Sequence, residues 1–194
     1  MDPAALDELL SRARRRDPDA LRQLVAAYTP RVFGLLYRLV GSRETAEDLF
    51  KETFLRVVRG IEQYEHVGKF EPWLFRIAAN LARDRARKRL RRGESEMLAD
   101  DALAELSAES VSPAAAACGS PVDRLIGQEA QEKLAAALDK LPAGDREVIL
   151  LRHYSELSFR EIADLLKIPL GTALARAHRA LARLRAELDD TNAG

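Results

Sequence analysis

The chain has 194 residues, enough for one large domain or two small ones. Charged residues make up 32% of it and hydrophobic residues 47%, a balance typical of a globular protein and unlike that of a disordered or membrane-embedded one. The 31 basic and 31 acidic residues cancel, which by itself argues against a nucleic-acid binder, and the single cysteine cannot form an internal disulfide. Neither a signal peptide nor an apolar run of about 18 residues is found, so we expect a cytoplasmic protein without membrane insertion.

Apolar residues recur at helical spacing through the first half of the chain. Asp17 followed by Pro18 is typical of a helix start, and Pro30 predicts a break before the hydrophobic run that ends at Gly41. Ser42 precedes another helix start. The first half is therefore predicted to be an all-helical bundle.

A strongly basic segment follows the helix that Pro72 opens. Between Arg76 and Arg92 there are eight basic residues and one acid, whereas the stretch from Glu94 to Glu109 holds six acids and no base. Such a basic stripe can bind phosphates in a salt-dependent manner. Aromatic side chains before it are predicted to stack on exposed bases, and these are Tyr64, Phe70 and Trp73. A solvated charged helix is the simpler interpretation of the same run.

The second half is predicted to contain a helix-turn-helix. Residues 93–121 are rich in Ala, Ser and acids and predict a flexible linker, and Ser158 with Glu161 forms a capping-box pattern at a later helix start. The tight turn after that helix is attributed to Gly171, and Arg176, Arg179 and Arg183 lie on one side of the final helix. Arginines on such a helix suit the DNA major groove, although an ordinary helical hairpin gives the same pattern.

The order of these parts resembles that of the extracytoplasmic-function sigma factors of the sigma-70 family. The run AEDLFKETFLR at 46–56 looks like the family's polymerase-docking segment, and FEPWLFRIAANLARD at 70–84 looks like its promoter-melting and −10-recognition helix. The parts from Leu141-Pro142 to Gly171-Thr172 look like the family's −35-binding domain. The resemblance covers nearly the whole chain except the linker.

The resemblance implies an all-α protein with a sigma-2-like bundle at residues 1–92 and a sigma-4-like helix-turn-helix domain at residues 122–194. Its implied partners are core RNA polymerase (the β and β′ subunits), promoter DNA and an anti-sigma factor. The expected polymerase contacts are Glu47, Asp48, Lys51 and Glu52. The expected −10 contacts are Tyr64, Phe70, Trp73, Arg76, Asn80, Arg83, Arg87 and Lys88. The expected −35 contacts are Ser158, Arg160, Thr172, Arg176, His178, Arg179 and Arg183.

The chain departs from the family pattern in its recognition helix. Where the family commonly has Gly-Thr-Val-Lys-Ser-Arg, this chain has GTALAR at 171–176, so a Lys and a Ser are replaced by Leu174 and Ala175. An autonomous repressor or activator, and a helical interaction protein without a DNA role, are the alternatives. No catalytic, cofactor-binding or metal-ligand pattern is present in the sequence, so we expect a protein that is not an enzyme.

Overall fold

The computed structural model describes residues 2–64, 69–91, 133–155 and 157–192. Within these ranges every regular element is helical, and the chain divides into two compact units, which confirms the predicted all-α, two-domain class. The predicted linker at 93–121, the acidic stretch from Glu94 to Glu109 and the final basic residue of the basic run lie outside the described residues. No helix in the described ranges is long and apolar enough to cross a lipid bilayer.

Four helices build the amino-terminal unit. They are α1 (Pro3–Arg14), α2 (Pro18–Val40), α3 (Arg43–Gly60) and α4 (Phe70–Arg91), and a short 3-10 helix, Ile61–Gln63, follows α3. Helix α2 is central, because it packs against α1, α3 and α4, and α3 also packs against α4. The buried side of α2 carries Leu24, Val32, Leu35 and Leu36, each at most 1% exposed.

The helix boundaries follow local capping rules. Asp17 accepts hydrogen bonds from the backbone N–H groups of Asp19 and Ala20, and Pro18 occupies the first turn of α2. Gly41 ends α2 in the left-handed conformation with φ of 72°, and the Ser42 side chain caps α3. These three predictions from the sequence are confirmed.

The predicted break at Pro30 is wrong. Helix α2 runs through Pro30 without interruption over 23 residues. Proline removes one backbone donor, but the helix is held on both sides of it by buried residues such as Tyr28 and Val32. The Thr29 hydroxyl also donates to the carbonyl oxygen of Val25 at 2.7 Å. Tertiary packing therefore outweighs the local cost of proline.

The carboxy-terminal part of the chain contains a helical segment at residues 133–139 and three further helices. These are α5 (Ala143–Ser155), α6 (Phe159–Leu166) and α7 (Leu170–Asn192), and α6 packs against α7. The capping box of α6 is confirmed, because Glu161 N–H donates to Ser158 Oγ at 3.3 Å and Ser158 N–H donates to Glu161 Oε2 at 2.9 Å.

The turn between α6 and α7 differs from the prediction that assigned it to Gly171. Lys167 adopts the left-handed conformation, with φ of 56°, and ends α6. Gly171 lies within the first turn of α7, and Gly41 is the glycine with positive φ among the described residues. The turn therefore depends on Lys167, and the backbone at Gly171 could be adopted by any L-residue.

Candidate functional site

Three surfaces carry most of the predicted functional residues. The first is the docking face, which is formed by Glu47, Asp48, Lys51 and Glu52 on α3. The second lies along α4, and the third is α7, which we call the recognition helix.

The docking face consists of charged side chains whose partners lie on the same helix. Asp48 and Lys51 are each 71% exposed and lie 3.6 Å apart. Glu47 pairs with Arg43 at 3.1 Å, and Glu52 pairs with Arg56 at 2.8 Å. Exposed pairs of this kind contribute about 0–1 kcal/mol each, so another protein could replace them at little cost.

A groove connects the docking face with α4. Its volume is about 290 Å³, and Glu44, Thr45, Asp48, Leu49 and Arg85 line it. The two carboxylates lie one helical turn apart on α3, and the guanidinium comes from α4. The groove therefore presents charged groups of both signs to a side chain of a partner.

Helix α4 begins in a cluster of aromatic rings. Tyr64 is 7% exposed and Phe70 1% exposed, and the ring centroids of Tyr64 and Trp73 lie 5.0 Å apart. Phe70 also contacts Tyr28 of α2, with ring centroids 5.4 Å apart, and burial raises the pKa of Tyr64. Tyr64 and Phe70 therefore pack in the core, and as placed their ring faces meet protein rather than solvent. Trp73 is partly exposed.

The indole of Trp73 is held close to the end of α3. A Cβ added at Gly60 would lie 3.1 Å from Trp73 Cζ2, which is tighter than ordinary van der Waals contact. A side chain at this position would push the indole away. The absence of a side chain at Gly60 therefore allows the indole of Trp73 to pack against the end of α3.

The amino-terminal end of α4 is fixed by a polar network that the sequence did not reveal. Glu71 accepts hydrogen bonds from Arg31 Nη1 at 2.9 Å, Arg31 Nη2 at 3.2 Å and the Tyr28 hydroxyl at 3.0 Å. The Arg31 guanidinium also lies 5.1 Å from the ring centroid of Phe75. Because Glu71 immediately precedes Pro72-Trp73, this network fixes where Trp73 stands on the bundle.

One side of α4 carries a row of residues from the indole to the basic end. Spacings of three and four place these residues on a common side of the helix, and we call the row the α4 stripe. It consists of Trp73, Arg76, Asn80, Arg83, Arg87 and Arg91. Arg76, Asn80, Arg87 and Arg91 are exposed, whereas Trp73 and Arg83 are partly buried. With a rise of 1.5 Å per residue, the row is about 27 Å long.

Two further residues modify the charge at the basic end. Lys88 is exposed beside the stripe, and Asp84 lies on the same side as the stripe and pairs with Arg87 at 3.3 Å. Helix α4 thus brings together, on or beside the stripe, six of the eight expected −10 contacts, and the other two, Tyr64 and Phe70, are buried.

The recognition helix presents its arginines beside the first turn of α5. Arg179 makes two hydrogen bonds with Asp145, from Nη2 at 3.0 Å and from Nε at 3.3 Å, and Asp145 is 4% exposed. The Arg176 guanidinium lies so close to Gly144 that an added Cβ would be 3.0 Å from its Cζ. Asp145 and Gly144 therefore position the two arginines, and sequence spacing alone could not reveal this because they are about 30 residues away.

The other expected −35 contacts differ in exposure. Arg160, His178 and Arg183 are exposed, and Thr172 is partly buried in the first turn of α7. The Ser158 hydroxyl is engaged in the capping box, because it also donates to Glu161 Oε2 at 2.7 Å. No cluster of potential metal ligands occurs in the described ranges.

Comparisons with known proteins give the family. A Sigma-70 region 2 family model matches residues 24–92, and a Sigma-70, region 4 model matches residues 131–184. The chain is 33% identical to the ECF RNA polymerase sigma factor SigW of Bacillus subtilis over 93% of this chain and 95% of that protein. It is 38% identical to the RNA polymerase sigma factor CarQ of Myxococcus xanthus over 91% of this chain and 93% of that one.

A solved structure shares the fold. The sigma factor RpoE of Bartonella quintana, crystallised with the anti-sigma factor NepR, matches with a TM-score of 0.63 and 23% identity over 87% of this chain and 96% of that chain. The two family models and the full-length relatives agree with the resemblance noted in the sequence. The chain therefore belongs to the extracytoplasmic-function sigma factors of the sigma-70 family, which bind core RNA polymerase and direct promoter-specific transcription initiation.

Proposed function

We propose that residues 1–92 dock on core RNA polymerase and capture the −10 element, that residues 122–194 bind the −35 duplex, and that residues 93–121 join the two. The main support for this proposal is the α4 stripe. One continuous helix of 22 residues presents an indole, an exposed amide and a row of cations along one side. A melted DNA strand needs these three kinds of group: a stacking partner, a base-edge contact and phosphate contacts.

Polymerase docking is assigned to the docking face on α3. Asp48 is the central residue because it is highly exposed and also lines the groove with Arg85. Its pair with Lys51 is long and solvent-screened, so a basic side chain of the polymerase can replace Lys51 with little loss. Glu47, Lys51 and Glu52 supply the surrounding charges.

Capture of the −10 element requires no nucleotide hydrolysis. Unstacking a base costs a few kcal/mol, and stacking on an aromatic ring contributes about 1–3 kcal/mol per base. We assign stacking to Trp73, base selection to Asn80, and phosphate binding to Arg76, Arg83, Arg87 and Lys88. Tyr64 and Phe70 act as the buried support of Trp73, because their ring faces are packed in the protein.

Recognition of the −35 element is assigned to α7 in the major groove. Arg176, Arg179 and Arg183 supply phosphate or guanine contacts, and His178 is exposed on the same helix. Arg160 is exposed on α6, where it can reach the DNA backbone. Ser158 and Thr172 lie at the starts of α6 and α7, and we assign them supporting contacts.

The partners and location follow from the family. We propose regulation by an anti-sigma factor, because related folds have been crystallised with such partners, RpoE with NepR among them. Initiation by binding energy alone requires no catalytic group, so we assign the protein no enzymatic activity and no cofactor. We propose a cytoplasmic location, because core RNA polymerase and promoter DNA are its proposed partners.

Charge reversal at Asp48 tests the docking assignment. Asp48→Arg should abolish co-purification with core polymerase, because it places a cation against the basic partner surface that the acidic residue is proposed to meet. Asp48 is exposed, so the variant should fold. The matched control is Asp7→Arg, an equal charge change at an exposed residue of α1, which should co-purify normally. Normal co-purification of Asp48→Arg would refute the docking face, and promoter binding without polymerase would favour an autonomous regulator.

A further inference from the structure

Helix α7 leaves a row of leucines uncovered. Leu170, Leu174 and Leu181 are 40%, 46% and 58% exposed. Their spacing places them along one edge of the helix. The side of α7 that packs into the unit is formed by other residues, namely Ala173, Ala177, Ala180 and Leu184. Single exposed leucines are ordinary, but a row on a helix assigned to DNA needs a reason.

The opposite edge of the exposed half of α7 is basic. It carries Arg176, Arg179 and Arg183. Small residues, His178 and, one turn beyond Leu181, Arg185 lie between the basic edge and the leucines. A helix is about 10–12 Å wide with its side chains, and the major groove of B-DNA is about 12 Å wide. The basic edge is complementary in charge to the phosphates that flank this groove. The occupant that fits this exposed half is therefore the DNA duplex.

An apolar side chain can recognise one feature on the floor of the major groove. The base edges there present hydrogen-bond donors, acceptors and the C5-methyl group of thymine, and the methyl is the apolar one. Leu174 and Ala175 lie in the amino-terminal part of α7, the part of a recognition helix that contacts base edges. Neither side chain can donate or accept a hydrogen bond.

We propose that Leu174, assisted by Ala175, recognises thymine methyl groups in the −35 element and is a specificity-determining residue of this sigma factor. This proposal depends on the placement of α7 in the major groove proposed above. It explains why Leu174 and Ala175 are apolar, although recognition of a base by hydrogen bonds would require a donor or an acceptor at these positions. Burying one methyl group should change the affinity about fourfold.

Thymine and uracil differ by this methyl group, which gives a direct experiment. Holoenzyme is used to select bound duplexes from a promoter library with a randomised −35 element. Each thymine of the selected element is then replaced singly by deoxyuridine, and the holoenzyme affinity is measured. We expect a loss of about fourfold at one or two positions and no loss at the others.

Two leucine variants connect that loss to a residue. Leu174→Ala should remove the difference between thymine and deoxyuridine at one position, because the contacting atoms are gone. The matched control, Leu181→Ala, changes an exposed leucine of the same edge about 10 Å further along the helix and should keep the difference. Both residues are exposed, so both variants should fold.

The outcomes distinguish this proposal from the function on which it rests. A selected −35 motif whose binding is equal with thymine and deoxyuridine at every position overturns methyl recognition and leaves the −35 role of α7 intact. An unchanged thymine preference in Leu174→Ala also overturns the proposal, and the leucines then contact another partner. Failure to select any −35 motif overturns the DNA role of α7 and this proposal together.

Discussion

Replacing Glu71 by glutamine should destabilise the amino-terminal unit. The carboxylate accepts three hydrogen bonds, two from Arg31 and one from Tyr28, and the side chains of Arg31 and Glu71 are 30% and 26% exposed. Glu71→Gln keeps the size but turns an N–H group toward donors and removes the negative charge. Glu71 also lies in the first turn of α4, where a negative charge is favoured.

The expected magnitude lies between two limits. An exposed ion pair contributes about 0–1 kcal/mol, and breaking a buried one costs about 3–5 kcal/mol. Because this pair is about three-quarters buried yet still reached by solvent, we expect a loss of about 2 kcal/mol in the free energy of unfolding. Tyr28→Phe removes the hydrogen bond from the Tyr28 hydroxyl to Glu71 and keeps the contact with Phe70, so it should cost about 0.5–1.5 kcal/mol.

Tryptophan fluorescence during urea unfolding provides the assay. Trp73 is the single tryptophan of the chain and stands two residues after Glu71, so its emission reports on the amino-terminal unit. The double variant of Glu71→Gln and Tyr28→Phe should be less destabilised than the sum of the two single variants, because both act on the same hydrogen bond. Equal stability of Glu71→Gln and the parent, or full additivity in the double variant, would refute the network.

Three further predictions concern the DNA-binding surfaces. Changing Arg87 and Lys88 together to alanine should lower the slope of log affinity against log salt for promoter DNA by about 2, and an unchanged slope would show that neither contacts phosphate. Gly171→Ala should raise the free energy of unfolding by about 0.5–1 kcal/mol, because this glycine is helical and no atom lies within 4 Å of an added Cβ. A lower melting temperature of the variant would contradict the helical backbone at this residue. Asp145→Asn should loosen Arg179 and reduce the ratio of −35-specific to non-specific affinity about three- to tenfold, whereas an unchanged ratio would mean that the ion pair does not position the arginine.

Local rules predicted the helix ends well because caps depend on neighbouring residues. Asp17, Gly41 and the Ser158–Glu161 capping box satisfy backbone groups within a few residues, and all three are present in the structure. Pro30 shows the limit of such rules, because the cost of proline is local whereas the burial that keeps α2 continuous comes from other helices.

Functional residues that lie in a row on one helix can be predicted from the sequence. Contacts between residues that are far apart in the sequence cannot. The basic residues of α4 could be placed on common faces by counting. Phe70 packs against Tyr28, about 40 residues earlier, and the positioning of Arg179 depends on Asp145. The left-handed turn at Lys167 was missed because glycine is the usual residue in that conformation.

Run-off transcription with core RNA polymerase tests whether this chain initiates transcription through the docking face on α3. The template carries a promoter selected by the holoenzyme, and the reactions contain core enzyme alone, core enzyme with the parent protein, or core enzyme with Asp48→Arg. We expect a transcript of defined length with the parent protein and none in the other two reactions. A transcript of equal amount with core enzyme alone, or with Asp48→Arg, would contradict initiation through the docking face on α3.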